Sequence, residues 1–185
     1  MQAVWLAVPE HFLEERHERG QDKADELWDG VLHMPPTPSS AHCRVDFDLL
    51  VVLIPIAKRR GWSVFADSFG IYDHDKNYRV PDGCVVSPEQ ISERGAESAK
   101  LVIEMLSPHD EAREKFPFYA KLGVSEIWLI EPYSREHEIH VLHDGRYIRT
   151  ESIDGATHST ILDVTLELAD GPVLRLRDGD AVVDI

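Results

Sequence analysis

"KLVIEMLSPHD", residues 100–110, sets one carboxylate inside an otherwise apolar run. Leu101, Val102, Ile103, Met105 and Leu106 all favour burial, and Glu104 stands among them. A short, near-continuous apolar run of this kind reads as a central strand covered on both faces. An unpaired carboxylate in such a strand costs several kcal/mol or more. Glu104 therefore needs a cation. Either Arg113 or Lys115 pairs with it as a structural salt bridge, or it helps to hold a metal ion.

Alternate residues of a strand share a face, so Val102, Glu104 and Leu106 point one way and Leu101, Ile103 and Met105 the other. In "VPDGCVV", residues 80–86, Val80, Asp82, Cys84 and Val86 share a face in the same manner. If the two segments are neighbouring strands, Asp82 and Glu104 converge. Two converging carboxylates repel, and one stays protonated unless a cation sits between them. Mg²⁺ (or Mn²⁺) suits that place, because it takes oxygen ligands, one or two of them carboxylates, and keeps several waters. Taken alone, an Asp that follows a proline is a common turn residue.

Upstream, "PEHFLEERHERG" (9–20) predicts a short helix with Pro9 at its start and Gly20 as its stop. "ADELWDGVLHM" (24–34) carries Asp29-Gly30 between apolar-containing arms, which predicts a hairpin. "PPTPSS" is a rigid loop that ends in a serine N-cap, Ser39 or Ser40. "AHCRVDFDLLVVLIPIAKRRG" predicts a long helix, kinked at Pro55 and closed by basic residues and Gly61. Its middle, "LLVVLI", is apolar all round and predicts deep packing. "WSVFADSFGIYD" (62–73) reads as a strand or strand pair, followed by the turn "HDKN". "YRVPDGCVVSP" (78–88) reads as one short strand, with Pro81 pointing to an edge or a bulge. "ISERGAESAK" reads as a surface loop or a frayed turn.

Downstream, Ser107, Pro108 and Asp110 have the spacing of a helix N-cap, N1 and N3. The helix continues through "EAREKFPFYAKLG", with a kink at Pro117 and a stop at Gly123. "EIWLIEP" (126–132) is a second buried strand, and "EIHVLHDGRYIRTES" (138–152) a hairpin across Asp144-Gly145. The tail reads as short strands and turns. Without a repeat or a linker, the pattern is that of one α/β domain over residues 1–185, its core at about 24–145, built on a mixed sheet.

Hydrophobic residues make up 43% of the chain and charged residues 29%, the balance of an ordinary globular protein. No apolar run approaches the ~20 residues that span a bilayer. The start "MQAVWLAVPEHF" lacks the basic opening of a secretory signal, so the expected location is cytoplasmic, with no membrane partner. Cys43 and Cys84 form no CxxC pair, which fits a reducing compartment. The net charge of −15 is the reverse of the basic footprint of nucleic-acid binders. A DNA partner would need a local basic patch, for which Lys58, Arg59, Arg60 and Arg79 are the visible candidates, or a metal. GxGxxG, Walker and GxSxG patterns are absent from the sequence, and its histidines show no zinc-ligand spacing.

In order along the chain, "ELWDGVLHMPPTPSSAH", Pro81-Asp82, "EMLSP", Lys115, Tyr119 and "GVSEIW" resemble the pattern of a bacterial family, the "putative restriction endonuclease" branch of the PD-(D/E)xK nuclease superfamily. The match runs over roughly residues 10 to 145. The resemblance implies a restriction-endonuclease-like fold, a central mixed sheet flanked by helices with the site on adjacent strands. It implies a metal-dependent endonuclease that hydrolyses DNA phosphodiester bonds. Asp82 would be the Asp of "PD" and Glu104 the acid of "(D/E)xK", both ligands of Mg²⁺ or Mn²⁺.

One position departs from that pattern: the lysine expected two places after Glu104 is Leu106. Such a lysine polarises the attacking water or steadies the phosphorane. In this branch a lysine on the following helix resembles the substitute, here Lys115; the alternative is a solvated surface lysine. His42, in the first turn of the long helix, could orient water or a phosphate, or serve as a capping or core histidine. Glu26 matches the family's acid before "DG" and either adds a third carboxylate or bonds the backbone. Leu106 and the −15 charge favour a rival reading. It is a catalytically inactive nuclease-fold module, or an accessory domain whose acidic surface suits a protein partner. Pairing of two copies through "LLVVLI" or the C-terminal strands is a further expectation.

Overall fold

The computed structural model describes residues 3–5, 8–108 and 111–185. At its centre lies a six-stranded sheet in the order Arg146–Arg149, His137–His143, Glu126–Ile130, Leu101–Met105, Gly83–Val86, Ser63–Ala66. Leu101–Met105 runs parallel to Glu126–Ile130 and antiparallel to Gly83–Val86, so the sheet is mixed. Every residue of Leu101–Met105 and Glu126–Ile130 is buried, as the two apolar runs predict.

The strand period sorts the core into two halves. Val85, Leu101, Ile103, Met105, Trp128 and Ile130 face the long helix Ser40–Lys58 and a four-stranded C-terminal sheet. Cys84, Val86, Val102, Ile127 and Leu129 face the short helix Phe116–Lys121, with Ile71 and Ala96 of a third, seven-stranded sheet. Fully buried Glu126 ties the C-terminal sheet to the core. Its Oε1 accepts from Ser159 Oγ and from Trp128 Nε1.

The seven-stranded sheet contains the Glu26–Trp28 and Val31–Met34 strands, which pair antiparallel around Asp29 and Gly30, both at positive φ. Ser39 caps the long helix by accepting from His42 N. A Cβ on Gly83 would stand 2.7 Å from Leu50 Cδ2, so the absence of a side chain beside Asp82 lets this helix lie close on the sheet.

Several local expectations are corrected. The long helix is not buried all round: Leu49, Leu50 and Leu53 face the core, while Phe47, Val51 and Ile54 are exposed. The helical period carries any six-residue run around the full circumference, whatever its composition. Residues 78–88 form parts of two strands, Asn77–Arg79 and Gly83–Val86, in different sheets, and Pro81 lies between them rather than at an edge or bulge. Residues 62–73 likewise divide between two sheets. Ile91–Ser92 and Gly95–Ala96 pair as a small hairpin where a surface loop was expected. Pro117 opens the Phe116–Lys121 helix after the 3₁₀ turn Ala112–Lys115, instead of kinking a longer one. The helix start expected at Ser107, Pro108 and Asp110 falls partly outside the described residues.

Arg79 is not a surface cation. It is buried, with its guanidinium 4.2 Å from both the Trp28 and the Phe118 ring centroids. It donates to the carbonyls of Leu27 and Tyr78 and to Asn77 Oδ1. Arg59 pairs with Asp178, and Arg60 donates to the carbonyls of Ile56 and Leu162. No helix among the described residues is long and apolar enough to cross a membrane. Arg79 thus pins the hairpin sheet to the helix that carries Tyr119. Arg79→Ala is expected to lose about 2–4 kcal/mol in urea unfolding, through lost cation–π contacts and unmatched acceptors.

Candidate active site

Glu104 is 4% exposed and fully partnered by residues that follow it in sequence. Its Oε1 accepts from Tyr119 Oη at 2.7 Å and from Lys115 Nζ at 3.1 Å, and its Oε2 from Lys115 Nζ at 2.9 Å. Lys115 ends the 3₁₀ turn and Tyr119 lies four residues on, in the helix, so one helical face delivers both donors. Arg113, the other partner considered for Glu104, pairs with Glu138 at 2.9 Å.

Lys115 also reaches Glu26, with Nζ 2.9 Å from Oε1. Glu26 stands beside Lys115 and also bonds the backbone. Oε1 additionally accepts from Val80 N at 2.9 Å, and Oε2 accepts from Trp28 Nε1 at 2.7 Å. The hairpin carboxylate is thereby fixed, and it fixes the ammonium group in turn. Burial opposes the charge on Lys115, but Glu104 and Glu26 outweigh it and raise the Lys115 pKa above its ordinary value. Lys115 is a cation here, not a base.

Asp82 directly precedes the Gly83–Val86 strand. The antiparallel ladder runs from Leu101 opposite Val85 to Ile103 opposite Gly83 and ends there, which leaves Asp82 in the bend before its strand, beside the Glu104–Met105 end of the neighbouring one. Asp82 Oδ2 accepts from Met105 N at 2.6 Å, and Oδ1 meets His42 Nε2 at 2.9 Å. That hydrogen bond is the main cause of the raised His42 pKa, with burial opposing it. Burial is also the main reason the Glu104 pKa is pushed up to about 7; Lys115 works against it, and the charges of Asp82 and Glu26 add to it.

Glu26, His42, Asp82, Glu104 and Lys115 line one cleft of about 570 Å³ between the long helix, the proline-rich loop before it and the strand ends. Six carboxylates line it (Glu26, Asp46, Asp67, Asp82, Glu104 and Glu111), against Lys115 and His42. Each carboxylate oxygen has two lone pairs, so the bonds to Asp82 orient it without exhausting it. A donor set of hard oxygens with a deficit of positive charge fits Mg²⁺ or Mn²⁺. Asp82 and Glu104 alone bring two carboxylates, and no group of three or more His, Cys, Asp or Glu placed to hold an ion occurs among the described residues. Waters and substrate oxygens would have to complete such a shell.

Three further side chains at or behind this cleft carry no role in the sequence pattern: Asp46 lines it, and Tyr119 and His33 bond residues that do. Tyr119 was matched to the family pattern but given no role, although its spacing of four from Lys115 was the available signal. Asp46 lies one turn after His42, with a buried Oδ1 that has no hydrogen-bond partner among the described residues. His33, without zinc-ligand spacing, bonds Glu111 at 2.7 Å and stacks on Trp28.

A model of the Uma2 family, described as "Putative restriction endonuclease", matches residues 9–174. The chain belongs to that family. Among solved structures it is similar to a crystal structure described as a putative nuclease belonging to DUF820, from Anabaena variabilis. The TM-score is 0.62 at 18% identity, over 77% of this chain and 84% of that one. The likeness establishes the fold, a mixed α/β arrangement of this Uma2 protein shared with that neighbour. No curated protein matches the chain.

Burial is the main cause that pushes the Asp46 pKa from 3.8 up to about 7, helped by Asp82 and Asp67 and opposed by His42. The folded state therefore holds a proton that the unfolded chain releases. The associated stability is full below 3.8 and lost as the pH rises through about 7. Asp46→Asn removes this loss. Its melting temperature is expected to exceed the native one by more at about pH 8 than at about pH 5.

Proposed function

We propose that the protein is a metal-dependent nuclease that hydrolyses phosphodiester bonds of DNA. Asp82 and Glu104 hold Mg²⁺ or Mn²⁺, and Lys115 supplies a fixed positive charge. The observation that carries this reading is the position of Lys115 Nζ, 2.9 Å from both Glu104 and Glu26. It restores beside the acidic strand the cation whose usual sequence position holds Leu106. Membership of a family described as restriction endonucleases supports the reaction class.

When bound, the ion lowers the pKa of a coordinated water and offsets phosphate charge. The residues of the chain do the rest. His42 and the Met105 amide hold the Asp82 carboxylate in one orientation. Tyr119 and Lys115 hold Glu104 in the same way. The ammonium of Lys115 stands ready for the oxygens on which charge grows as water attacks phosphorus and the P–O bond breaks. Its partner Glu26 keeps it from swinging into solvent.

A second reading has an observation in its favour. Most of the cationic side chains expected to meet DNA are engaged elsewhere: Arg79 is buried, Arg59 faces Asp178 and Arg60 caps carbonyls, while Lys58 is exposed. Of the partners open to a nuclease-fold module without activity, a nucleic acid or a protein, that favours the protein.

DNA cleavage assays with Mg²⁺ or Mn²⁺ test the leading reading. Asp82→Ala and Glu104→Ala are expected to fall to background, and Lys115→Ala to lose about 10²–10³ in rate. Unchanged cleavage in both acidic variants would assign the activity to another site. Thermal melts separate the two readings. Mn²⁺ is expected to raise the melting temperature of the native chain and not that of Glu104→Gln, whereas an inactive module shows no metal-dependent shift in either.

A further inference from the structure

The depth of the site bears on which form of nucleic acid can reach it, an inference that rests on the nuclease reading above. We propose that the substrate is a single strand, gripped at the cleft mouth by Phe47 and Tyr133 stacking on its unpaired bases. The side chains of Glu104, Glu26 and Lys115 are 6%, 5% and 12% exposed, so the reacting phosphate must descend to the cleft floor. A duplex is a stiff rod with a persistence length of roughly 50 nm and its phosphates on the outside of the cylinder. Such a rod rests across a cleft of about 570 Å³ and does not follow its walls inward. A single strand bends at each nucleotide and can carry one phosphate to the floor.

The rim supplies what a strand without a partner needs. Phe47, on the long helix, and Tyr133, just after the Glu126–Ile130 strand, are 67% and 62% exposed. Both line this same cleft. Large aromatic rings left in water at a cleft mouth offer π-faces on which any base can stack, a contact that tolerates sequence.

Electrostatics point the same way. The described lining offers Lys115 as its one lysine and holds no arginine, against six carboxylates. Phosphate neutralisation by side chains, the usual source of duplex affinity, is therefore small. A single strand has the lower charge density and suffers less from the acidic walls. Binding that comes from stacking has a shallow salt dependence.

The test uses the full chain with Mn²⁺ on a single-stranded circle and on the duplex of the same sequence. The single strand is expected to be cut at least about tenfold faster. Phe47→Ala and Tyr133→Ala should each raise KM for it about tenfold with little change in kcat. Because both residues act at the rim, the Mn²⁺-induced rise in melting temperature should stay native-like in both variants. Equal cutting of the two substrates, with native KM in both variants, overturns the single-strand proposal and leaves the nuclease reading intact. So does a Phe47→Ala variant that changes the sedimentation of the protein while its KM stays native, which would assign that helix face to a protein contact. Cleavage of neither substrate, together with no Mn²⁺ shift, overturns the nuclease reading and this inference with it.

Discussion

A carboxylate that is 4% exposed cannot remain charged in a sheet core without a cation, and the surroundings of Glu104 follow from that constraint. Lys115 and Tyr119 come to it from the helical segment that follows its strand. Glu26 comes from the hairpin to hold the lysine from the other side. A strand, the helical segment that follows it and a hairpin distant in sequence thus meet at one ion pair. Removing one charge from such a group leaves the other buried and alone, so the cluster constrains the fold as much as the chemistry.

The balance of charge in the cleft extends the same argument. One lysine between two carboxylates is locally overdrawn, and Asp82, which accepts from Met105 N, brings a third to the same cleft. Protonation is one way to relieve that excess: burial is the main cause that raises the pKa values of Glu104 and Asp46, and neighbouring carboxylates add to it. A divalent ion is another. The structural salt bridge and the catalytic site are therefore not competing descriptions of Glu104: the pair with Lys115 holds in place the group that an ion would use.

Much of this was legible in the chain. The apolar run around Glu104, the alternation in "VPDGCVV" and the Asp-Gly turns pointed to the central strands, to Asp82 at the end of the strand next to that of Glu104, and to the two hairpins. Those signals are local, and the strand period transmits them without knowledge of the fold. Arg79, Pro81 and the "LLVVLI" segment were misread for the opposite reason. A cation between two aromatic rings, a proline between two sheets and a helix with one open face are set by what packs against them, and the neighbours are distant in sequence.

The sequence by itself determined that an acid lies in a buried strand, that Asp82 can share its face, and that a lysine and a tyrosine four residues apart follow it. Helical and strand periods suffice for that, because each concerns residues joined by a few bonds. Only the tertiary structure decided that Lys115 turns inward to Glu104 and Glu26, that His42 meets Asp82, and that Arg79 is buried. Where a long charged side chain ends depends on the dielectric and the partners at its tip, and those come from the packing of separate sheets.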